Sequence, residues 1–276
     1  MTGQPDLSRQ SFLGRNSDEE LAATRVAIVG LGGGGSHIAQ QLAHLGVGSF
    51  RLIDPQEIEA SNLNRLVGAT QADVEARRPK VEILKRLILA IRPDAEVEIA
   101  QKPWQEADRL IRDAHVLFGC VDGYRQRDFL ESAARRFCLP YIDIGMDVAE
   151  VASGHYAVAG QVIVSRPGCP CMRCLGFLTP KRLAREEDDY GDAGINPQVV
   201  WTNGTLASLA LGEFVKLRTP WCPASDPYVW LELDGNSQAV SRSRQPDYRN
   251  LPDICPHHGG ADGLGDPFFS LRAKTP

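Results

Sequence analysis

The sequence predicts an α/β fold: a sheet that is parallel in its N-terminal part, helices on both of its faces, and an antiparallel C-terminal extension. Three observations carry this. Between residues 25 and 150, short apolar strand-like runs are separated by stretches of helical periodicity, the pattern of crossover-connected parallel strands. A glycine-dense turn, Gly30-Leu31-Gly32-Gly33-Gly34-Gly35, follows the first run. Beyond Gly154 the texture changes to a hairpin-like run and a cysteine-rich turn.

Residues 1–24 form a polar arm in which Ser17 to Ala23 reads as a short helix capped by Ser17, with acidic residues in its first turn. Val26-Ala27-Ile28-Val29 is the first strand, and its glycine turn marks residues 25–150 as a Rossmann-like nucleotide-binding half. Glycines let the backbone approach a phosphate, and the helix starting near Ser36 aims free N–H groups at it, so Gly30, Gly32, Gly33 and Gly35 are candidate nucleotide contacts. Ile38, Leu42, Ala43 and Leu45 give that helix its apolar face, and Gly46 stops it. The strand Ser49 to Ile53 ends in Asp54, at the position where such folds bind a ribose hydroxyl; NAD and ATP both suit this pattern. A helix over Pro79–Ile91 precedes strands at Ala95–Ile99, His115–Cys120 and Pro140–Ile144. Residues 151–276 form a C-terminal half of the same compact domain. It carries a hairpin at Tyr156–Val164, a loop at Gly176–Asn196, a helix at Thr205–Leu217 and a strand at Tyr228–Leu233.

Composition narrows the function. A net charge of −5 over 276 residues argues against nucleic acid as the main partner. No apolar run is long enough to cross a bilayer and the start is too polar for a signal peptide, so a cytoplasmic protein without membrane contact is expected. Seven cysteines, an odd number that includes one Cys-x-x-Cys, then point to metal or thiol chemistry before disulfides. Cys120 and Cys138, beside apolar strands, read as small core residues.

After Asp54 the chain presents Asn62-Leu63-Asn64-Arg65, then Arg78-Pro79-Lys80 opening a helix, then Val121-Asp122 closing a strand. Glycine turn, acid, Asn-Leu-Asn-Arg, Pro-Lys and strand-end Asp, in that order, resemble the ThiF/MoeB/HesA group, the bacterial relatives of ubiquitin-activating enzymes. The resemblance covers about Ser8 to Gly259 and implies an ATP-dependent adenylyltransferase acting as a homodimer. It assigns Lys80 and Arg65 to the triphosphate, Asp54 to the ribose, and Asp122 to Mg²⁺. Asn62 and Arg127 fall near the nucleotide, although Asn62 also suits a turn former. Arg9, in Ser8-Arg9-Gln10, matches an arginine that reaches across the dimer to the partner's ATP. The chemistry agrees: carboxylate attack on the α-phosphate builds charge on phosphoryl oxygens and on departing pyrophosphate, which calls for fixed cations and a metal.

Cys171-Met172-Arg173-Cys174 and Cys255-Pro256-His257-His258 supply soft ligands for a tetrahedral zinc ion, and four protein ligands leave no position open for catalysis. The resemblance, in which a second Cys-x-x-Cys is common, selects Cys171, Cys174, Cys255 and His258 for a structural zinc site. His257 competes with His258, and Cys169 with Cys171.

Many members of the group carry a cysteine in the loop after the first zinc pair, which accepts the activated acyl group. Gly176–Asn196 contains none, and Tyr190 stands in its place. A phenol of ordinary pKa is a poor nucleophile at neutral pH, so the reaction is expected to stop at the acyl-adenylate and pass it to a partner's sulfur or amine. The implied substrate is the C-terminal carboxylate of a small ubiquitin-like or sulfur-carrier protein. A short ribosomal peptide or a tRNA nucleoside are alternatives within the group. The glycines and Asp54 alone also permit an NAD-dependent oxidoreductase, and a non-catalytic binding module is the remaining class.

Overall fold

The computed structural model describes residues 7–188, 197–222, 228–253 and 255–258. Its centre is an eight-stranded sheet in the order β3-β2-β1-β4-β5-β6-β7-β8. The strands are β1 (Arg25–Val29), β2 (Ser49–Ile53), β3 (Glu96–Ala100), β4 (Val116–Gly119), β5 (Tyr141–Ala152), β6 (His155–Ser165), β7 (Val229–Asp234) and β8 (Ala239–Arg242). Pairs among β3, β2, β1, β4 and β5 are parallel, whereas β5 to β8 are antiparallel, as the sequence predicts. From β1 the chain steps outward to β2 and β3, then returns to lay β4 on the other flank of β1. Such a reversal opens a crevice at the carboxyl ends of the strands, and the glycine turn leaves β1 at that point.

A 3₁₀ helix (Ser8–Leu13) precedes α1 (Ser17–Ala22), α2 (Gly33–Leu45), α3 (Gln71–Glu75), α4 (Lys80–Ile91), α5 (Asp108–Arg112), α6 (Tyr124–Arg136), α7 (Pro180–Asp188) and α8 (Val200–Arg218). Period-2 alternation along the strands divides the core into two. Val26, Ile28, Phe50 and Leu52 pack against α2, α4 and α8, while Ala27, Val29, Leu117 and Tyr141 pack against α5 and α6. Gly46 caps α2 at φ +100°, its N–H bonding the carbonyl of Ala43. Among the described residues no helix is long and apolar enough to cross a membrane.

Several expected boundaries move. Asn16, not Ser17, holds the N-cap position of α1, and the Ser17 hydroxyl donates to the Gly14 carbonyl. The Tyr156–Val164 hairpin is instead one continuous strand, β6, and the reversal lies at Ser153-Gly154. Gly160 imitates a turn for another reason: a Cβ there would lie 2.5 Å from Leu206 of α8, so the glycine admits close helix packing. Helix α8 begins at Val200, ahead of the expected Thr205, because Asn203, Gly204 and Thr205 are weak helix formers that obscure its first turn. Helix α6 escapes the apolar pattern because its buried residues include Arg127, Asp128, Glu131 and Arg135.

Candidate active site

A cleft of about 1060 Å³ occupies the crevice at the carboxyl ends of β1, β2 and β4. That is at the upper end for a small-molecule pocket. Gly30, at φ +86°, lines it, and Gly35 packs directly against Gly30. A Cβ on Gly30 would collide with the Cys120 carbonyl, and one on Gly35 with the carbonyl of Gly30 itself. A Cβ on Gly33 would strike the Asn203 amide, whereas one on Gly32 would meet no atom within 4 Å, and Gly32 lines the cleft. Three of these glycines therefore shape the turn, and the fourth keeps backbone open to a ligand. We expect Gly35→Ala to lower unfolding stability by about 3 kcal/mol or more, since backbone meets backbone and no side chain can yield. Urea denaturation checks this; a loss under about 1 kcal/mol contradicts it.

Asp54 is buried at the end of β2, where its two carboxylate oxygens accept the N–H groups of Leu31 (2.7 Å) and Gln56 (2.8 Å). It thereby ties the glycine turn to the next loop while lining the cleft. Pro79, with φ fixed near the helical value, precedes the first residue of α4, which is Lys80. The Lys80 side chain is only 6% exposed, and Nζ donates to Gln56 Oε1 at 2.6 Å. Arg65 lies on the opposing loop and donates to the carbonyl of Ser61 (2.6 Å) and to Asn64 Oδ1 (3.0 Å). Asn62 accepts the Glu59 N–H at 3.2 Å, so it does serve as a turn former, and it also lines the cleft. Buried Asp73 anchors the segment joining Arg65 to Lys80. Arg86 and Arg78 bond its carboxylate, and the Arg86 bonds foremost hold its pKa far below the usual carboxylate value.

Across the cleft, Asp122 is exposed just beyond β4 and accepts from Gln198 Nε2 at 3.5 Å. Arg127, on the first turn of α6, bonds fully buried Asp143 and the carbonyl of Ile144 (2.9 Å). Tyr141 donates to the other oxygen of Asp143 at 2.9 Å. Gly145 makes room for this group, because a Cβ there would lie 2.5 Å from Arg127 Nη2. Cys120 lines the cleft, but burial pushes its thiol pKa far up, so it is no nucleophile at neutral pH. Arg9 is exposed on the 3₁₀ helix and is not among the residues lining the cleft of its own chain.

A second cluster lies on the α6 side of the sheet. Sulfur atoms of Cys171 and Cys174, and of Cys174 and Cys255, are 3.6 Å apart; His257 Nδ1 stands 3.4, 3.4 and 4.0 Å from Cys171, Cys174 and Cys255. A tetrahedral ion with bonds of 2.0–2.3 Å needs edges of roughly 3.5–3.8 Å, so these four atoms fit zinc. The fourth member of the group is His257, which corrects the expected His258. His258 turns inward instead, into a separate group with Glu131 and Cys171. Adjacent histidines have side chains that diverge, and spacing alone does not choose between them. Burial raises the Cys171 thiol; burial is also the largest influence on Cys255, but hydrogen bonds from the His257 backbone, the Cys171 and Cys174 side chains and the His258 backbone together lower its thiol pKa. Helix α6 grips this knuckle. Glu131 accepts the Met172 N–H at 2.9 Å, Arg135 donates to the Cys169 carbonyl at 2.8 Å, and Arg173 pairs with Asp128 at 2.7 Å.

Comparison with known proteins decides the family, since the ThiF family model matches residues 6–251. The chain belongs to the ThiF family. Among ThiF relatives, the vegetative HesA protein of Trichormus variabilis is 29% identical over 89% of this chain and 85% of its own length. The molybdopterin-synthase adenylyltransferase of Escherichia coli is 29% identical over 73% of this chain and 76% of its own. Of solved structures, E. coli MccB with ATP superposes with a TM-score of 0.72 at 18% identity, covering 92% of this chain and 75% of MccB. At that identity the likeness concerns the fold.

This ThiF-family chain thus brings Gly30, Gly32, Gly33, Asp54, Asn62, Arg65, Lys80, Asp122 and Arg127 to one cleft, with Gly35 packed against Gly30. Tyr190 lies outside the described residues. Gln56, Trp104, Gln105, Gln126 and Asn203 also line the cleft, and Asp143 orients Arg127 from below. None carried a sequence signal, because loops far apart in the chain bring them together.

Proposed function

We propose that this protein is an ATP-dependent adenylyltransferase that joins AMP to the C-terminal carboxylate of a small ubiquitin-like or sulfur-carrier protein and releases pyrophosphate. One observation carries the reading: the glycine turn, Lys80, Arg65 and Asp122 line one cleft at the switch point of the sheet. Lys80 and Arg65, which both line the cleft, would neutralise phosphoryl oxygens. A carboxylate oxygen of the carrier attacks the α-phosphorus, the bond to the bridging oxygen of the β-phosphate breaks, and pyrophosphate departs with that electron pair. Fixed donors favour this path because charge on the transferring group grows where they already stand. The oxidoreductase reading, which suits the glycines and Asp54, gives Lys80, Arg65 and Asp122 no task.

The charge balance also bears on magnesium. Arg65, Lys80 and Arg127 face Asp54, Glu57, Glu59 and Asp122 around the cleft, and Arg127 is already paired with Asp143. A triphosphate among so many carboxylates requires additional positive charge, and Asp122, exposed at the rim, is the residue that would hold Mg²⁺. Bound there, the ion would neutralise phosphate charge. Zinc in the Cys171, Cys174, Cys255 and His257 cluster would be structural, its four protein ligands leaving no open position. Arg9 acts on the other subunit of a homodimer in this proposal, since it stands outside its own cleft.

The test is ATP–pyrophosphate exchange with a carrier ending in Gly-Gly. Exchange is expected with the free carboxylate and not with the C-terminal amide; exchange that ignores the amide contradicts the proposal. Intact-mass measurement after incubation with ATP and carrier is expected to find no covalent adduct, because residues 176–196 hold no cysteine and the half-buried Cys120 has a raised pKa. A thioester mapped to Cys169 or Cys222 contradicts that expectation.

A further inference from the structure

The fold accounts for one half of the Asn203 amide and not for the other. Helix α8 has Val199 in its N-cap position, and Asn203 follows one turn later, 5% exposed and lining the cleft. Its Nδ2 donates to the Val199 carbonyl at 3.0 Å. A carbonyl can only accept, so this bond fixes the orientation of the amide and turns Oδ1 the other way. That oxygen stands over the glycine turn, where a Cβ on Gly33 would lie 3.2 Å from it and one on Gly34 3.6 Å. Among the described residues no hydrogen-bond donor reaches it. Helix α8 itself gives no reason for this residue, since asparagine is a weak helix former and a half-satisfied buried amide costs stability that an apolar side chain would not.

The surroundings narrow what Oδ1 can bind. Gly33 and Gly34 open α2, whose first N–H groups are left free for anionic oxygens. A phosphate oxygen suits those donors and is repelled by an amide carbonyl, so Oδ1 calls for a donor that lies next to the phosphates. The ribose hydroxyls belong to the other flank. Asp54 closes β2, whereas Ile144 of β5 fills the space that a Gly34 side chain would need, and β1 and β4 separate those two strands. What comes up to the phosphates in adenylation is a carboxylate, and a polypeptide carries a peptide N–H on the nitrogen two bonds from its carboxylate carbon.

Resting on the adenylation reading, we propose that Asn203 accepts the N–H of the substrate's last peptide bond and so makes the cleft selective for polypeptide C-termini whose final residue keeps that N–H. A chain ending in proline or in an ester-linked residue offers no donor and leaves Oδ1 unpaired beside the bound substrate, which is the arrangement that discriminates most strongly between otherwise similar ligands. Asn203 holds the terminal residue by its nitrogen, and the carboxylate is left free to face the α-phosphorus.

Two synthetic octapeptides test this, one ending in Gly-Gly and one in which glycolic acid replaces the last glycine, so that an ester oxygen stands where the N–H was. Calorimetric titration into protein loaded with Mg²⁺ and a non-hydrolysable ATP analogue reads binding, and ATP–pyrophosphate exchange reads transfer. Wild-type protein is expected to favour the amide peptide over the ester about tenfold or more in both measurements. Asn203→Ala and Asn203→Leu each remove Oδ1, and each is expected to bring the two peptides within about threefold by weakening the amide, while affinity for the ATP analogue stays within about threefold of wild type. A merely structural role would weaken both peptides alike and leave their ratio in place. Equal wild-type affinities, a ratio unmoved in both variants, or binding of neither peptide overturns the proposal. So does a loss of about tenfold or more in affinity for the ATP analogue, which would give Oδ1 to the nucleotide or its metal. Amide-selective binding without pyrophosphate exchange sustains the Asn203 assignment while removing adenylation, and exchange that uses the ester as readily as the amide does the reverse.

Discussion

Alanine at Lys80 is expected to lower carrier-dependent ATP–pyrophosphate exchange by about 10²–10³-fold, the loss typical of deleting one fixed donor from a preorganised anion site. Lys80 is nearly buried, starts α4 behind a proline that sets its backbone, and bonds a single uncharged oxygen, that of Gln56. Its ammonium is therefore held in place, and no carboxylate among the described residues pairs with it directly. Arginine should rescue poorly, because a planar guanidinium does not fit the space of a compact ammonium. Asp122→Ala is expected to abolish magnesium-dependent exchange as well, with little change in Tm, since the one hydrogen bond its side chain makes among the described residues is a 3.5 Å bond from Gln198. Exchange within threefold of wild type in both variants would remove these residues from the reaction.

Loss of zinc is expected to be the largest perturbation of stability. Chelation should release about one zinc per chain and lower Tm on the order of 10 °C, which corresponds to several kcal/mol for a domain of this size. Without the ion, three thiols and an imidazole crowd within 4.8 Å of one another, and the knuckle that α6 grips through Glu131, Arg135 and Asp128 loses its shape. The same helix carries Arg127 into the cleft, so the chelated protein should also bind ATP more weakly. His257→Ala is expected to reduce zinc content sharply and His258→Ala to leave it near one per chain. The opposite pattern would restore His258 as the ligand.

Local chemistry explains what could be read in advance. The glycine turn, Asp54, Pro79-Lys80 and the strand-end Asp122 are each next to the element that positions them, so order along the chain reproduced order around the cleft. Helix α6 was hidden for the converse reason: Arg127, Asp128, Glu131 and Arg135 occupy its inner side to hold the cleft floor and the cysteine knuckle, which erases its apolar stripe. Gly160 misled because a glycine needed for packing against Leu206 has the same letter as one needed for a turn. That Trp104, Gln105 and Gln126 line one cleft depends on strand order, a property that no short window of sequence contains.

The crystal structure of the protein with a non-hydrolysable ATP analogue and Mg²⁺ tests the central claim most directly. The phosphates are expected above Gly32, with Lys80 Nζ and the Arg65 guanidinium on their oxygens and the Asp122 carboxylate on the metal. A nucleotide bound elsewhere, or one whose phosphates leave Lys80, Arg65 and Asp122 without contact, would contradict it.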